Sequence, residues 1–250
     1  MFKIHAIHAG NRHLYEEALE QHYRIRHDIY VGERMWMELE RPDGREVDQF
    51  DTDKAVYLLG IEPGKGVVGG SLLVPTLEPH LMSDVFPELA NKRGLPRAHD
   101  IFEWTRIFVV PAKREAGRLS KAAGIVYCGI LEFCLSQGIR QLSVVCEDYW
   151  IPRLLALGWN PVLLGDALLK DGMAIVGITC DMTEEALAKT RSTYSIDDSV
   201  LAPESEPPDR ATLEATLATH GGNVSTAARA LGMHRPQLYR LMQRWGMKTP

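Results

Sequence analysis

Two charged residues stand directly before an apolar run in the middle of this chain, and they restrict its possible folds more than any other feature. Phe102-Glu103-Trp104-Thr105-Arg106 leads into Ile107-Phe108-Val109-Val110. A run that apolar reads as a buried strand. Charges beside a buried strand are rarely tolerated without partners. Glu103 and Arg106 therefore need counter-charges from elsewhere. The stretch from Arg26 to Tyr57 supplies them: Arg26, Tyr30 and Trp36, then Glu46-Val47-Asp48-Gln49-Phe50-Asp51, then Tyr57. The economical arrangement gathers Arg26, Asp48, Asp51, Glu103 and Arg106 in one cleft. Taken singly, each of these charges more often makes a surface salt bridge worth ~0–1 kcal/mol. As an ordered set alongside two aromatic residues, they favour a functional cleft.

Around this set the chain alternates strand and helix signals. Phe2 to His8 alternates apolar and polar residues as a strand does, and Leu14 to His27 has helical spacing. Ala55 to Ile61 and Val67 to Val74, joined by Pro63-Gly64-Lys65-Gly66, read as a hairpin. Pro79 to Leu95 reads as a surface segment of short helices. A long helix is expected from about Ala116 to Gln137, with Gly138 at its C′ position. After it come a strand (Gln141–Cys146), a helix (Trp150–Leu157), two strands (161–164 and 173–180) and a helix (183–191). This order predicts an α/β domain with a mixed sheet.

The composition changes after 191. Asp197-Asp198 and the Pro/Glu/Ser run from 203 to 208 predict a linker over 192–209. From Ala215 to the end there are five Lys or Arg and no Asp or Glu. Leu213, Leu217, Ala227, Ala228, Leu231, Leu238 and Leu241 recur at helical spacing. Gly221-Gly222-Asn223 breaks the first helix, Ser225 or Thr226 starts the second, Gly232 sits in the next turn, and Pro236 falls in the first turn of the third. The expected domains are thus 1–191, a linker at 192–209, and a small all-α helix-turn-helix at 210–250.

A net charge of −5 argues against nucleic-acid binding by the whole chain but not by this basic module. The four cysteines, Cys128, Cys134, Cys146 and Cys180, form no Cys-x-x-Cys pair. They point to reduced, buried thiols in a cytoplasmic protein rather than to a metal site. No apolar run approaches the ~20 residues that span a bilayer.

Arg26-x-x-x-Tyr30 with Trp36, Glu46-x-Asp48-x-x-Asp51 with Tyr57, and Glu103-x-x-Arg106 resemble, in order and spacing, the LuxI-type acyl-homoserine lactone synthases. Pro75-Thr76, Pro79, Leu81-Met82, Val144-Val145, Arg153 and Gly158-Trp159 extend the resemblance from about Phe2 to Thr183. One position departs from the pattern: Leu72 stands where that family usually has arginine. The resemblance implies the fold of the Gcn5-related N-acetyltransferases, in which an acyl-pantetheine arm lies beside a splayed strand. Here the arm would lie between Ile107–Val110 and Val144–Cys146, with its phosphate at the helix start near Gly117.

The implied reaction joins the amine of S-adenosylmethionine, a substrate rather than a resident cofactor, to an acyl group from acyl carrier protein or coenzyme A. Lactone closure then expels methylthioadenosine. The resemblance casts Glu103 as the base, Asp48 and Asp51 near the cationic substrate, and Arg26 and Arg106 as carboxylate partners. Tyr30 and Trp36 would cover the adenosylmethionine. Backbone groups near Phe108 would meet the oxyanion, and Ser143 would line the acyl pocket. Lys113, Arg114, Arg118 and Lys121 would form a basic face for an acidic carrier protein.

In the last module, Gly222-Asn223, Ala227-Ala228, Leu231-Gly232, Arg235, Leu238-Tyr239-Arg240 and Gly246-Met247 resemble the DNA-binding domain of Fis and NtrC-type regulators. This implies contacts to bases or phosphates from His234, Arg235, Gln237 and Arg240 and to phosphates from Arg244 and Lys248. A homodimer is expected, because such small bundles often need a partner. Two other readings stay open at this point. One is an N-acyltransferase of the same fold acting on another amine, motivated by Leu72. The other is a transcription regulator that senses a ligand without turnover.

Overall fold

The computed structural model describes residues 2–115, 120–203, 210–231 and 235–247, with 229, 235–237 and 240 described by backbone alone. The first strand, β1 (Lys3–Ile7), is followed by α1 (Glu16–Arg26), whose last turn widens into a π-helical segment over His27–Glu33. The hairpin β2 (Val56–Glu62) and β3 (Gly66–Pro75) comes next, then the single turn α2 (Leu81–Asp84) and a 3₁₀ turn over Pro87–Ala90. After these come β4 (Ile101–Val109), α3 (Lys121–Ser136), β5 (Gln141–Glu147), α4 (Trp150–Ala156), β6 (Val162–Leu163), β7 (Leu168–Lys170), β8 (Met173–Asp181) and α5 (Glu184–Tyr194). The eight strands form one sheet in the order β1-β2-β3-β4-β5-β8-β6, with β7 also on β8. Only β4 and β5 run parallel, so the sheet is mixed, as expected.

Two layers cover it. The apolar helix α3 packs on one face, where Ile125, Val126, Ile130 and Leu131 meet Leu58, Leu73, Trp104, Leu142 and Ile178. Gly129 lets α3 reach β1, since a Cβ there would lie 2.5 Å from Ile4. On the other face, Leu19, Ile29 and Tyr30 pack against Tyr57, Leu59, Leu72 and Phe108. Leu72 is thus an ordinary core residue in this chain. The expected surface segment 79–95 is partly core, because Met82 and Leu89 are fully buried. The short strand β7 has no counterpart in the sequence reading, and its three residues are too few to show alternation.

Two features decide where a site can form. β4 and β5 pair only from Ile101/Gln141 to Trp104/Val144, although both strands continue. Beyond that point the sheet splays open. On its other edge β4 carries a bulge, where the register with β3 shifts between Gly70 and Leu72. There Arg106 takes the left-handed conformation, φ 53°. That conformation costs a non-glycine residue about 1–3 kcal/mol and persists only where surrounding contacts enforce it.

The first part of the expected linker is not a linker. Ile196 and Val200 are buried in the main core, and residues 200–202 lie alongside β1, Ile4 N–H donating to Val200 O and Ala202 N–H to Ile4 O. The Glu132 carboxylate on α3 accepts the N–H groups of Val200 and Leu201 and the Ser199 hydroxyl. Apolar side chains four residues apart outweigh the polar composition around them. Residues 204–209 lie outside the described residues.

The last segment forms three helices, α6 (Arg210–Thr219), α7 (Val224–Ala230) and α8 (Arg235–Arg244). Their core is Leu213, Leu217, Val224, Ala227, Ala228, Leu238, Leu241 and Met242. The cap of α7 is Asn223, whose side chain accepts the Thr226 N–H, rather than Ser225 or Thr226. Among the described residues no helix is long and apolar enough to cross a membrane, and all four cysteines are free.

Candidate active site

Four of the five charged residues singled out by sequence, Arg26, Asp48, Asp51 and Arg106, converge around another, Glu46, while Glu103 is held separately. Arg26, at the end of α1, is fully buried. Its guanidinium donates two bonds to Asp51, at 2.7 and 3.0 Å, and one to Glu46. Arg106, aimed by the bulge, donates to both Glu46 oxygens at 3.0 and 3.1 Å and to Asp48 at 2.6 Å. Glu46 therefore joins the two arginines. It lay in the quoted motif, but nothing in the sequence singled it out from Asp48 and Asp51. Burial pushes its carboxyl up, yet the guanidiniums of Arg106 and Arg26 outweigh burial and hold it down, at about 2. Asp51 also accepts the Tyr57 hydroxyl and the Asp48 N–H. His22 packs beside Arg26 and stays neutral, because burial and both arginines push its pKa well below the ordinary value.

Three carboxylates thus face two guanidiniums, which leaves one negative charge in surplus. Of the three, only Asp48 lines the adjoining cavity. Burial raises its pKa, with Asp51 adding to the effect and Arg106 opposing it.

That cavity, of about 350 Å³, fills the splay between β4 and β5. Thr105, Arg106 and Ile107 line one side, Val145, Cys146 and Glu147 the other. This overlaps the region expected for the acyl-pantetheine arm at Ile107 and Val144–Cys146, but Phe108, Val109 and Val110 do not line it. Its apolar end is walled by Trp104, Trp150, Leu154 and Ile175, and Leu81, Val85 and Phe86 also border it. At the other end Tyr30 and Trp36 stack with ring centres 5.2 Å apart, and the Tyr30 hydroxyl donates to Ile107 O at 2.8 Å. Arg34 lies 5.3 Å from the Trp36 ring centre and pairs with Glu147 at 2.8 Å. These are further lining residues that sequence reasoning missed, since an exposed Arg and a strand-end Glu carry no distinguishing pattern.

Glu103 lies just behind the cavity wall, with no exposed surface. Its two carboxylate oxygens accept the backbone N–H groups of Leu81 and Met82, each at 2.7 Å. The α2 turn is held by its own reciprocal bonds between His80 and Ser83. Burial drives the Glu103 pKa up to about 7, against the pull of the Met82 and Leu81 N–H groups and of Arg106. A buried carboxyl titrating near neutrality has the property a general base needs.

The other expected site residues are distributed differently. Arg26 and Asp51 do not line the cavity; they brace Glu46 and Asp48 from behind. Phe108 is packed in the second core cluster against His22. Ser143 is fully buried, and the β5 residues lining the cavity start at Val144. Lys113 and Arg114 are paired with Glu62 and Glu33, while Gly117 and Arg118 lie outside the described residues, so the phosphate position expected there is not described. In the helical module His234 and Lys248 lie outside the described residues, as do the side chains of Arg235, Gln237 and Arg240. Arg244 is exposed in the last turn of α8. Among the described residues no group of His, Cys, Asp or Glu could hold a metal.

Residues 11–189 match the autoinducer synthase family, and residues 207–245 match the Fis family of bacterial regulatory proteins. An isovaleryl-homoserine lactone synthase of Bradyrhizobium diazoefficiens is 48% identical over 184 residues, which cover 74% of this chain and 82% of that protein. The solved structure of a CoA-dependent acyl-homoserine lactone synthase, BjaI, with SAM and isopentyl-CoA superposes with a TM-score of 0.77 at 42% identity, covering 87% of this chain and all of that one. A second CoA-dependent acyl-homoserine lactone synthase, MesI, gives 0.73 at 49% identity over 80% of this chain and 99% of that one.

Proposed function

The chain belongs to the autoinducer synthase family and is an acyl-homoserine-lactone synthase, and from that premise we propose that it joins S-adenosylmethionine to a short acyl group carried on coenzyme A. The observation that carries this reading is the surplus negative charge at Asp48 on the cavity wall. S-adenosylmethionine brings a sulfonium and an α-ammonium, and a buried, under-compensated carboxylate attracts such a cation far more than an exposed one would. The stacked Tyr30 and Trp36 offer a flat apolar cover for the same molecule.

The chemistry then follows from the geometry of the wall. Glu103, acting through a water, takes a proton from the α-ammonium. The freed amine attacks the thioester carbonyl in the splay, and the thiolate of the donor leaves. N–H groups of β4 between Thr105 and Phe108, beyond the last pair with β5, meet the oxyanion. The methionine carboxylate next attacks its own γ-carbon, closing the lactone and releasing methylthioadenosine. Arg106 holds Asp48 in place and faces the substrate carboxylate. Arg26 and Asp51 serve as braces.

Two things favour coenzyme A over acyl carrier protein as donor. The relatives BjaI and MesI are CoA-dependent. In addition, Lys113 and Arg114, half of the basic face expected for an acidic carrier, are already engaged with Glu62 and Glu33. The synthase works in the cytoplasm, where both substrates are made.

The Fis-family module binds DNA through α8 and the turn before it, with His234, Arg235, Gln237 and Arg240 meeting bases or phosphates and Arg244 a phosphate. It acts as a homodimer, matching two half-sites. The docking of residues 195–202 on the synthase core supports extending that domain from 191 to about 203, ahead of the module at 210–250.

Mass spectrometry of products from S-adenosylmethionine and a panel of acyl-CoA and acyl-carrier thioesters tests the reading. Methylthioadenosine with an acyl-homoserine lactone from short acyl-CoA donors is expected. Product from carrier-bound donors alone refutes the CoA assignment. Binding of duplex DNA that weakens steeply with salt is expected of the module.

A further inference from the structure

Glu103 poses a problem that the reaction leaves open. After taking a proton through the cavity-side water it must lose it again before the next turnover, while substrate and product fill that side and the carboxyl has no exposed surface of its own. Its oxygens already face the Leu81 and Met82 N–H groups, which accept no proton. Its in-register neighbours across the sheet are Val74 on β3 and Ser143 on β5. Val74 is apolar, so of these two in-register neighbours only Ser143 is polar.

Ser143 has the features of a relay group. It is fully buried, and its hydroxyl has no hydrogen-bond partner among the described residues. Leaving a buried hydroxyl unpaired costs about 1–3 kcal/mol, so such a group usually has a use. Its side chain shares the Glu103 face of the sheet. Leu142 and Val144 on either side belong to the α3 core, while Val145 packs with Met82 on the α2 side. The next in-register residue is Thr179 on β8, again on this face because Ile178 and Cys180 belong to the α3 core. Thr179 is 7% exposed and so reaches solvent. Neighbouring strands lie about 4.8 Å apart, so the three polar side chains stand in one file; no hydrogen bond joins them directly, and one water between neighbours would link them.

We propose that Glu103, Ser143 and Thr179 form a proton relay across the sheet, which returns the base to its carboxylate form after each turnover. The Glu103 carboxylic acid donates its proton to the Ser143 oxygen or to a water held by it. The Ser143 hydroxyl passes its own proton to Thr179, and Thr179 passes one to solvent water. Each hydroxyl gains one proton as it loses another, so the net change is one proton moved from Glu103 to water. Ser143 and Thr179 act through Glu103 and touch no substrate. The relay rests on Glu103 being the base.

The test compares wild type, E103Q, S143A, S143T, T179V and T179S as full chains, following methylthioadenosine release in H₂O and D₂O. In S143A the relay loses its first oxygen, and kcat is expected to fall about 10-fold, near the low end of general acid–base effects. KM for both substrates should stay within about twofold, and the solvent isotope effect should grow. S143T and T179S, which keep the hydroxyl, should restore the wild-type isotope effect. S143A and T179V at wild-type kcat and isotope effect, with E103Q inactive, would overturn the relay and leave the base assignment standing. E103Q at the wild-type rate would overturn both. A changed acyl-donor preference in S143A with kcat unchanged would likewise refute the relay. Should S143A fold poorly, T179V, one strand further from the base, carries the same test.

Discussion

Replacing Glu103 by glutamine should change stability in a way that depends on pH, and the size of the change can be worked out from the site. The folded pKa of about 7 lies above the ordinary glutamate value of 4.5. The folded protein thus holds this proton more tightly than the unfolded chain does. Stability from this group is therefore greatest at low pH and is lost as pH rises from 4.5 through 7. Linkage over that interval makes the wild type about 2–3 kcal/mol more stable at pH 5 than at pH 8, from this residue alone. Glutamine cannot titrate. It also cannot accept both the Leu81 and Met82 N–H groups, which costs about 1–3 kcal/mol at every pH. That penalty cancels when each variant is compared with itself. The assay is urea unfolding of wild type and E103Q at pH 5 and pH 8. The wild-type advantage over E103Q should shrink by about 2–3 kcal/mol between the two values. An advantage that does not vary with pH would refute the raised pKa, and with it the idea that this carboxyl is poised as a base. The same titration should shape kcat/KM, which should rise with pH through about 7 as the base form appears.

D51A leaves the buried Arg26 guanidinium half-compensated and removes the acceptor of the Tyr57 hydroxyl; thermal unfolding should show a loss of about 3–5 kcal/mol. W36A removes the stacking partner of Tyr30, and KM for S-adenosylmethionine should rise about 10-fold, a loss of ~1.4 kcal/mol, with kcat less affected; an unchanged KM would remove this pair from the substrate site. E132A deletes the carboxylate that holds Ser199, Val200 and Leu201, so the amides of Val200 and Leu201 should exchange hydrogen much faster while those of β4 keep their protection. Leu72→Arg places an unpaired charge in an apolar cluster and should destabilise the fold by several kcal/mol without improving turnover, as read by unfolding and product release together.

How far the sequence disclosed the site depended on which atoms do the work. The pairing of Arg106 with the 46–51 acids was legible, because a charge beside an apolar strand must be compensated and few candidates existed. The division of labour among those charges was not. Arg26 and Arg106 look alike in sequence, yet a bulge with φ 53° turns Arg106 toward the cavity, whereas the end of α1 leaves Arg26 sealed behind Glu46. The grip on Glu103 was invisible for a different reason: backbone N–H groups of residues 81 and 82 hold it, and main chain carries no residue-type signal. The docked segment 195–202 was misread because a few apolar residues settle where a chain lies, however polar their neighbours. Ser143 shows the same limit from the other side. Its identity suggested a wall of the acyl pocket, but it lies where β4 and β5 are still paired, short of the splay and in line with Glu103 and Thr179. A one-residue slip of β5 against β4 would reverse that face for every residue of the strand. The register thus sets which β5 residues share a face with Glu103, while the end of the β4–β5 pairing at Trp104/Val144 sets where the cavity wall begins.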